Sequence, residues 1–299
     1  MVNISATTAE KTLRDRMLGW SNSGSIMSIA TLEVVSTPPT STIKSAVEAM
    51  VENGFRRLPV TDSGTGRLLG IVGSSDIVDL IGGGGKYQLI SKAHRGNFLS
   101  AINDSVKRIM NTDVLTINST ASARDGLKKV LASKRGGLVV VDRENKVQGI
   151  VTERDYIEAA LEHAGSKKVA DLMTLKVVFT TPGTTLGDAA KIMVRNSFRR
   201  LPIVSENRLV GMVTTRTIID FIGQNGAFER LVKNDISEIL KTRVSEVMAH
   251  TAATVEQGAE LKDAIELMQS TGGGTVCIVE RDVLAGILTE RDATRSITL

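Results

Sequence analysis

The sequence predicts an α/β (α+β) fold assembled from four copies of one small unit, and three observations carry that prediction. Residues 67–72, 146–151, 208–213 and 283–288 are short apolar runs, each interrupted by a glycine (Gly70, Gly149, Gly211 and Gly286). A second apolar run precedes each, at 58–61, 138–141, 201–204 and 276–279, across turn formers and charges such as Asp62, Ser63 and Gly64. Two β-rich runs flanking a short polar turn predict a hairpin. Upstream of every hairpin, apolar residues recur at helical spacing.

Taken in order, the first unit places Ile43, Ala46, Val47, Met50 and Val51 at i, i+3, i+4, i+7 and i+8, one apolar stripe of an amphipathic helix. The second is looser, with Ala123, Leu127, Val130 and Leu131. The third repeats the first with Leu186, Ala189, Ala190, Met193 and Val194, and the fourth has Leu261, Ala264, Ile265 and Met268. Ser41 or Thr42 caps the first helix and Thr184 or Thr185 the third, since a hydroxyl there accepts from unpaired N–H groups of the first turn. A second short helix follows each hairpin, at 76–81, 155–161, 218–222 and 292–297. Each unit therefore reads strand, helix, strand, strand, helix.

A unit of ~55 residues buries too little surface to stand alone comfortably, so the units are expected to pair. Phe55-Arg56-Arg57-Leu58-Pro59 recurs as Phe198-Arg199-Arg200-Leu201-Pro202, and Thr152-Glu153-Arg154-Asp155 recurs as Thr289-Glu290-Arg291-Asp292. Unit one thus matches unit three, and unit two matches unit four. The expected organisation is an N-terminal extension over 1–24, with a short helix at 9–18, followed by two pairs. The first pair covers 25–165 (units 25–82 and 106–162) and the second 166–299 (units 169–222 and 244–299), divided where 163–168 break the pattern.

Composition excludes several classes. The chain has 299 residues, net charge +4, 41% hydrophobic and 23% charged residues, which is not the composition of a disordered chain. One cysteine, Cys277, excludes an internal disulfide framework and a zinc ribbon. Its mid-strand position predicts a buried, small apolar residue. His94, His163 and His250 share no ligand spacing. There is no run of ~20 apolar residues, and charges interrupt the first twenty positions, so neither a membrane span nor a secretory signal is expected and a cytoplasmic location is. The pI of 9.2 rests on 37 basic against 33 acidic side chains, which permits a nucleic-acid partner without arguing for one. No Ser-His-Asp, Cys-His or paired-carboxylate arrangement suggests catalysis. Gly82-Gly83-Gly84-Gly85 lacks the Gly-Lys-Ser/Thr ending of a phosphate loop and reads as the start of a flexible linker running to about Ser105.

Units two to four have a lead-in of the form Val-x-x-x-Met (Val106 to Met110, Val169 to Met173, Val244 to Met248). With the Leu-Pro-Val or Leu-Pro-Ile strand and the Gly-h-h-Thr-x-x-Asp ending, repeated in register over residues 25–299, the chain resembles the CBS (cystathionine β-synthase) domain family. The resemblance implies two pseudo-two-fold Bateman modules in a disk-like arrangement, similar to the γ regulatory subunit of AMP-activated protein kinase and its archaeal relatives. It also implies a regulatory adenosyl ligand, AMP, ADP or ATP, or in some members S-adenosylmethionine.

The repeated residues suit such a ligand. A carboxylate accepts hydrogen bonds from both hydroxyls of a ribose, and its charge strengthens them. Asp155 and Asp292 start helices, with Thr152 and Thr289 three residues earlier, and Arg154 and Arg291 stand ready for a phosphate, whose geometry the planar guanidinium matches. The plainer reading is that Thr and Asp cap the helix. Unit one keeps Asp76 but has Gly73 for the threonine; unit three keeps Thr214 and Arg216 but has Thr217 for the aspartate, so unequal occupancy is expected. By the resemblance, Arg56-Arg57 and Arg199-Arg200 lie beside phosphates, with one arginine of each doublet turned to the cleft because strand neighbours alternate. Gly136-Gly137 and Gly272-Gly273-Gly274 read equally as sites of close backbone approach to a base or phosphate and as helix C-caps.

The expected function is a non-catalytic adenine-nucleotide sensor that alters the surface shown to an unknown protein partner, with a homodimer left open. Two alternatives stand beside it. The linker basics Lys86, Lys92, His94, Arg95, Lys107 and Arg108 suggest a ribosome- or RNA-associated factor. S-adenosylmethionine would leave the arginines unexplained, since it carries a cationic sulfonium and no phosphate.

Overall fold

The computed structural model describes residues 24–133, 135–159, 161 and 167–296. The expected helix at 9–18, His163 and most of the pattern break at 163–168 lie outside the described residues. Unit one contains α1 (Ile43–Glu52), β1 (Arg57–Thr61), β2 (Leu68–Gly73) and α2 (Ser74–Ile81), and α3 (Phe98–Ile102) follows it. Unit two contains β3 (Thr116–Asn118), α4 (Ala123–Ala132), β4 (Gly137–Val141), β5 (Val147–Thr152) and α5 (Glu153–Ala159). Unit three contains α6 (Leu186–Asn196), β6 (Arg200–Ser205), β7 (Arg208–Thr214) and α7 (Thr215–Gly223), with α8 (Ile236–Leu240) after it. Unit four contains β8 (Thr254–Val255), α9 (Leu261–Ser270), β9 (Thr275–Glu280), β10 (Val283–Thr289) and α10 (Glu290–Ser296).

The expected first strand forms only in units two and four, where β3 and β8 run parallel to β4 and β9. In units one and three it shrinks to single parallel bridges, Thr37 to Val60 and Thr180 to Ile203. Pro38 and Pro39 follow the first bridge and Pro182 the second, and a proline has no N–H to extend a ladder. The caps fall on the later hydroxyl of each candidate pair. Thr42 Oγ1 accepts from the Ser45 N–H at 3.0 Å, and Thr185 Oγ1 from the Asp188 N–H at 3.1 Å.

The four hairpins share an irregularity. Register shifts just before the marker glycine, bulging out Leu69, Gln148, Val210 and Ala285. The glycine is needed because the lead-in segment of the neighbouring unit crosses it. A Cβ on Gly70 would sit 3.0 Å from Met110 Sδ, on Gly211 3.1 Å from Met248 Sδ, and on Gly286 2.8 Å from Met173 Sδ. In unit two the crossing residue is Ala30, 3.1 Å from a Cβ on Gly149. The repeated glycine and the repeated methionine are thus two sides of one contact. Lead-ins are exchanged: residues 25–31 dock on unit two and 106–111 on unit one, while 169–174 dock on unit four and 244–249 on unit three.

Helices join the units across the other direction. The helices α1 and α2 pack against α7, α2 also packs against α6, and α5 packs against α10. One core therefore runs through units one and three, from Ile43, Val47 and Met50 to Leu186, Ile218 and Ile222. Units two and four hold separate cores around Tyr156 and around Val276 and Ile278. The segment expected to be a flexible linker is ordered instead. Leu89, Ile90, Phe98, Ala101 and Ile102 are buried in the shared core, because its apolar residues recur at helical spacing once past the glycines. Among the described residues, no helix is long and apolar enough to cross a membrane.

Cys277 lies fully buried in β9, and burial pushes its thiol up to about 12. The folded protein is expected to leave a thiol reagent such as Ellman's reagent unreacted at pH 8 and to titrate one thiol after denaturation. Rapid reaction of the native protein would contradict this packing.

Candidate functional site

The second helices of units two and four begin two residues earlier than the sequence pattern suggests, at Glu153 and Glu290. Asp155 and Asp292 thus occupy the third helical position, from which a side chain reaches back to the preceding strand end. Asp155 Oδ2 accepts from the Thr152 N–H and hydroxyl, both at 2.7 Å. Asp292 Oδ2 accepts from the Thr289 N–H at 3.0 Å and its hydroxyl at 2.7 Å. The capping and binding readings are therefore compatible. Among the described residues the hydrogen bonds that Asp292 accepts fall on Oδ2 and not on Oδ1.

Units one and three differ as their sequences imply. In unit one, Asp76 Oδ2 accepts from the Gly73 N–H at 2.7 Å, and its Oδ1 is taken by the Lys86 ammonium. Burial raises the Asp76 carboxyl above its ordinary value, and Lys86 opposes the rise. In unit three, Thr214 and Thr217 cap each other, each backbone N–H donating to the other's hydroxyl oxygen at 3.0 Å. Arg216 serves packing there: it pairs with Asp220 at 2.9 Å and donates to the Met50 and Val51 carbonyls at the end of α1.

The arginines expected to meet a phosphate directly are held by two glutamates to which the sequence reading gave no role. Arg154 Nε donates to Glu290 at 2.8 Å, and Arg291 Nε donates to Glu153 at 2.7 Å. Each pair crosses between units two and four. The same glutamates approach the doublets, Glu153 with Arg199 at 3.6 Å and Glu290 with Arg56 at 3.8 Å. Both are nearly fully buried, at 3% and 8% exposure. The available signal was their place in the repeated Thr-Glu-Arg-Asp tetrads.

The glycine runs make room for this cluster. A Cβ on Gly274 would lie 2.5 Å from the Glu290 carboxylate, and one on Gly136 would lie 2.9 Å from Glu153 Oε2. The Gly274 carbonyl accepts from Arg200 at 2.7 Å, and the Gly272 carbonyl from Arg56 and Arg154 at 2.8 Å. Gly272, at φ +65°, also closes the end of α9, which is the helix-cap reading; the close approach at Gly274 is to the Glu290 side chain.

A cavity of about 640 Å³ opens beside the cluster, and Asp76 and Asp292 both line it, joining the unit-one and unit-four clefts. All four doublet arginines line it, Arg56, Arg57, Arg199 and Arg200, rather than one from each doublet. The alternation argument fails because β1 begins at Arg57 and β6 at Arg200, so Arg56 and Arg199 precede the pleat. Asp155, Thr152, Arg154, Thr214 and Arg216 are absent from the described lining, while Thr289 and Arg291 belong to it. Burial, with the neighbouring arginines, lowers Arg57 to about 10 and Arg200 to about 9. Both stay protonated at neutral pH. Burial opposes the charge of Glu290, but Arg56 and Arg154 outweigh it and hold the carboxyl below its usual value. No group of three or more metal-ligating side chains occurs among the described residues.

Comparison with known proteins places this geometry. The CBS-domain profile matches residues 25–83, 106–162, 169–224 and 244–298. Protein MJ1225 of Methanocaldococcus jannaschii is 40% identical over 87% of this chain and 94% of its own. Its crystal structure, described as that of a candidate archaeal homologue of γ-AMPK, superposes with a TM-score of 0.86 at 39% identity, covering 91% of this chain and 99% of that one. A 33.4 kDa protein in the ribosomal RNA operon of Thermofilum pendens is 27% identical over 85% of each chain. A Pyrococcus horikoshii protein shares the fold at 19% identity and a TM-score of 0.54, over 89% of this chain and 96% of its own. Four matched segments in register, together with the MJ1225 relationship over nearly the full length, show that the chain belongs to the CBS-domain family, carrying four CBS domains.

Proposed function

We propose that the chain is a non-catalytic regulatory sensor of an adenine nucleotide, AMP, ADP or ATP. CBS-domain proteins are regulatory ligand sensors, and the finer reading rests on the cavity. One observation supports it: Asp292, whose described hydrogen bonds fall on Oδ2, lines the same cavity as the four doublet arginines. A diol acceptor at one place and guanidiniums at another match a ribose phosphate. The cleft at Asp292 is the principal site. The unit-one carboxylate is engaged by Lys86, and unit three has Thr217 where the carboxylate would stand. Asp155 lies outside the described lining of this cavity, so the cleft beside it is ranked second.

Binding would bridge residues from units one, three and four, and so change the placement of the two pairs and the surface offered to a partner. A switch of that kind requires that the ligand prefer one placement over the other. S-adenosylmethionine fits poorly, because its cationic sulfonium would enter a cavity lined by arginines. The ribosome reading loses part of its motive: Lys86 is paired with Asp76, while His94 and Arg108 share Asp104 at 3.0 and 3.8 Å.

Calorimetric titration with AMP, ADP and ATP tests the proposal. Saturable heat and a raised melting temperature with at least one are expected. No heat and no thermal shift with all three would overturn it.

A further inference from the structure

The arginine cluster carries its own counter-charge. Six guanidiniums, those of Arg56, Arg57, Arg199, Arg200, Arg154 and Arg291, surround two buried carboxylates, Glu153 and Glu290, an excess of four positive charges. Each glutamate spans one tetrad arginine from the opposite unit and one doublet arginine. Glu153 holds Arg291 and Arg199, both of which line the cavity, and Glu290 holds Arg154 and the cavity-lining Arg56. The glutamates thus stand behind the guanidiniums that a ligand would meet. Gly136 and Gly274 lie against them, where a Cβ would come within 2.9 Å of Glu153 Oε2 and 2.5 Å of the Glu290 carboxylate.

We propose that Glu153 and Glu290 are positioning residues that set how much anionic charge the cluster accepts, and that the matching ligand is a polyphosphate rather than a single phosphate. The inference rests on the proposed nucleotide site and adds its charge selectivity. A nucleoside triphosphate brings about four negative charges at neutral pH and a monophosphate about two. In a buried setting like charges are screened little, so an uncompensated excess both destabilises the empty protein and strengthens anion binding. With two glutamates present, the empty protein tolerates the excess, and a triphosphate offsets more of it than a monophosphate does.

The test uses the full chain with Glu153→Gln, Glu290→Gln and both together. Glutamine keeps an acceptor for the arginine and removes the charge. Affinity for ATP, AMP and inorganic tripolyphosphate is measured by calorimetry, and melting temperature with and without each. The double variant is expected to bind tripolyphosphate and ATP about tenfold tighter or more, and AMP only about threefold tighter, while melting lower when empty. Should the double variant fail to fold, each single variant carries the test, with the same widening of the ATP-to-AMP ratio in smaller measure. A merely structural role would lower stability and leave that ratio unchanged, and this result in folded variants overturns the inference. If tripolyphosphate binds and tightens while no nucleotide binds, the charge selectivity stands and the adenine reading falls. If ATP binds the wild type and the variants show no tightening, the inference alone falls.

Discussion

Gly211→Ala is expected to destabilise the protein by about 3 kcal/mol, at the upper end of what an inserted methyl costs in a close-packed site. The new Cβ would lie 2.5 Å from the Ala249 carbonyl oxygen and 3.1 Å from Met248 Sδ. The methionine could turn aside, but the carbonyl belongs to backbone fixed by a reciprocal pair of hydrogen bonds. The Met212 N–H donates to Ala249, and the Ala249 N–H donates to Met212, both at 2.9 Å. Relief requires the lead-in of unit four to lift off unit three, where Val244 is buried in the shared core. In a chain of this size the change lowers the melting temperature by roughly 6 °C. Gly258→Ala is the control, since a Cβ there meets nothing within 4 Å, and its effect should stay within about 0.5 kcal/mol. Equal melting of the two variants would contradict the reading of the marker glycine as a lead-in contact.

Asp292→Ala is expected to weaken nucleotide binding about a hundredfold, because it removes a charged acceptor for two ribose hydroxyls, each such bond being worth ~1.5–3 kcal/mol. It also removes a cap worth ~1 kcal/mol, so binding must be compared between folded samples. Asp155→Ala removes an equivalent cap, bonded to Thr152 in the same way, but lies outside the described lining of the cavity. It should lower stability to a similar degree and shift affinity by no more than about threefold. Equal losses of affinity in the two variants would mean that the cleft at Asp292 has no special standing.

Much of the fold was legible because it repeats. Helical stripes, hairpins and marker glycines recur four times, and each copy corrects the reading of the others. Local chemistry explains what changed. Prolines after Thr37 and Thr181 cut short the first strands expected in units one and three. The glycine run at 82–85 signals a break, yet the apolar residues beyond it, Leu89 to Ile102, seal the core between units one and three. At the site, Asp292, Thr289 and the doublets could be named from their motifs. Glu153 and Glu290 could not be given a role, because their partners Arg291 and Arg154 lie more than 130 residues away, at separations of 138 and 136. Lys86 was equally hidden: nothing in the segment around it announces that its ammonium meets Asp76. Sequence pattern reports what one unit repeats, and these contacts belong to the junction of several.

The central claim is that the Asp292 carboxylate grips a ribose diol while the arginine cluster holds the phosphates. Parallel calorimetric titrations with ATP and with 2′,3′-dideoxy-ATP test it most directly, since the two ligands share base and phosphates and differ only in the hydroxyls. ATP should bind at least about tenfold tighter to the wild type, and the difference should vanish in Asp292→Ala. Equal affinity of the two ligands for the wild-type protein would contradict the account.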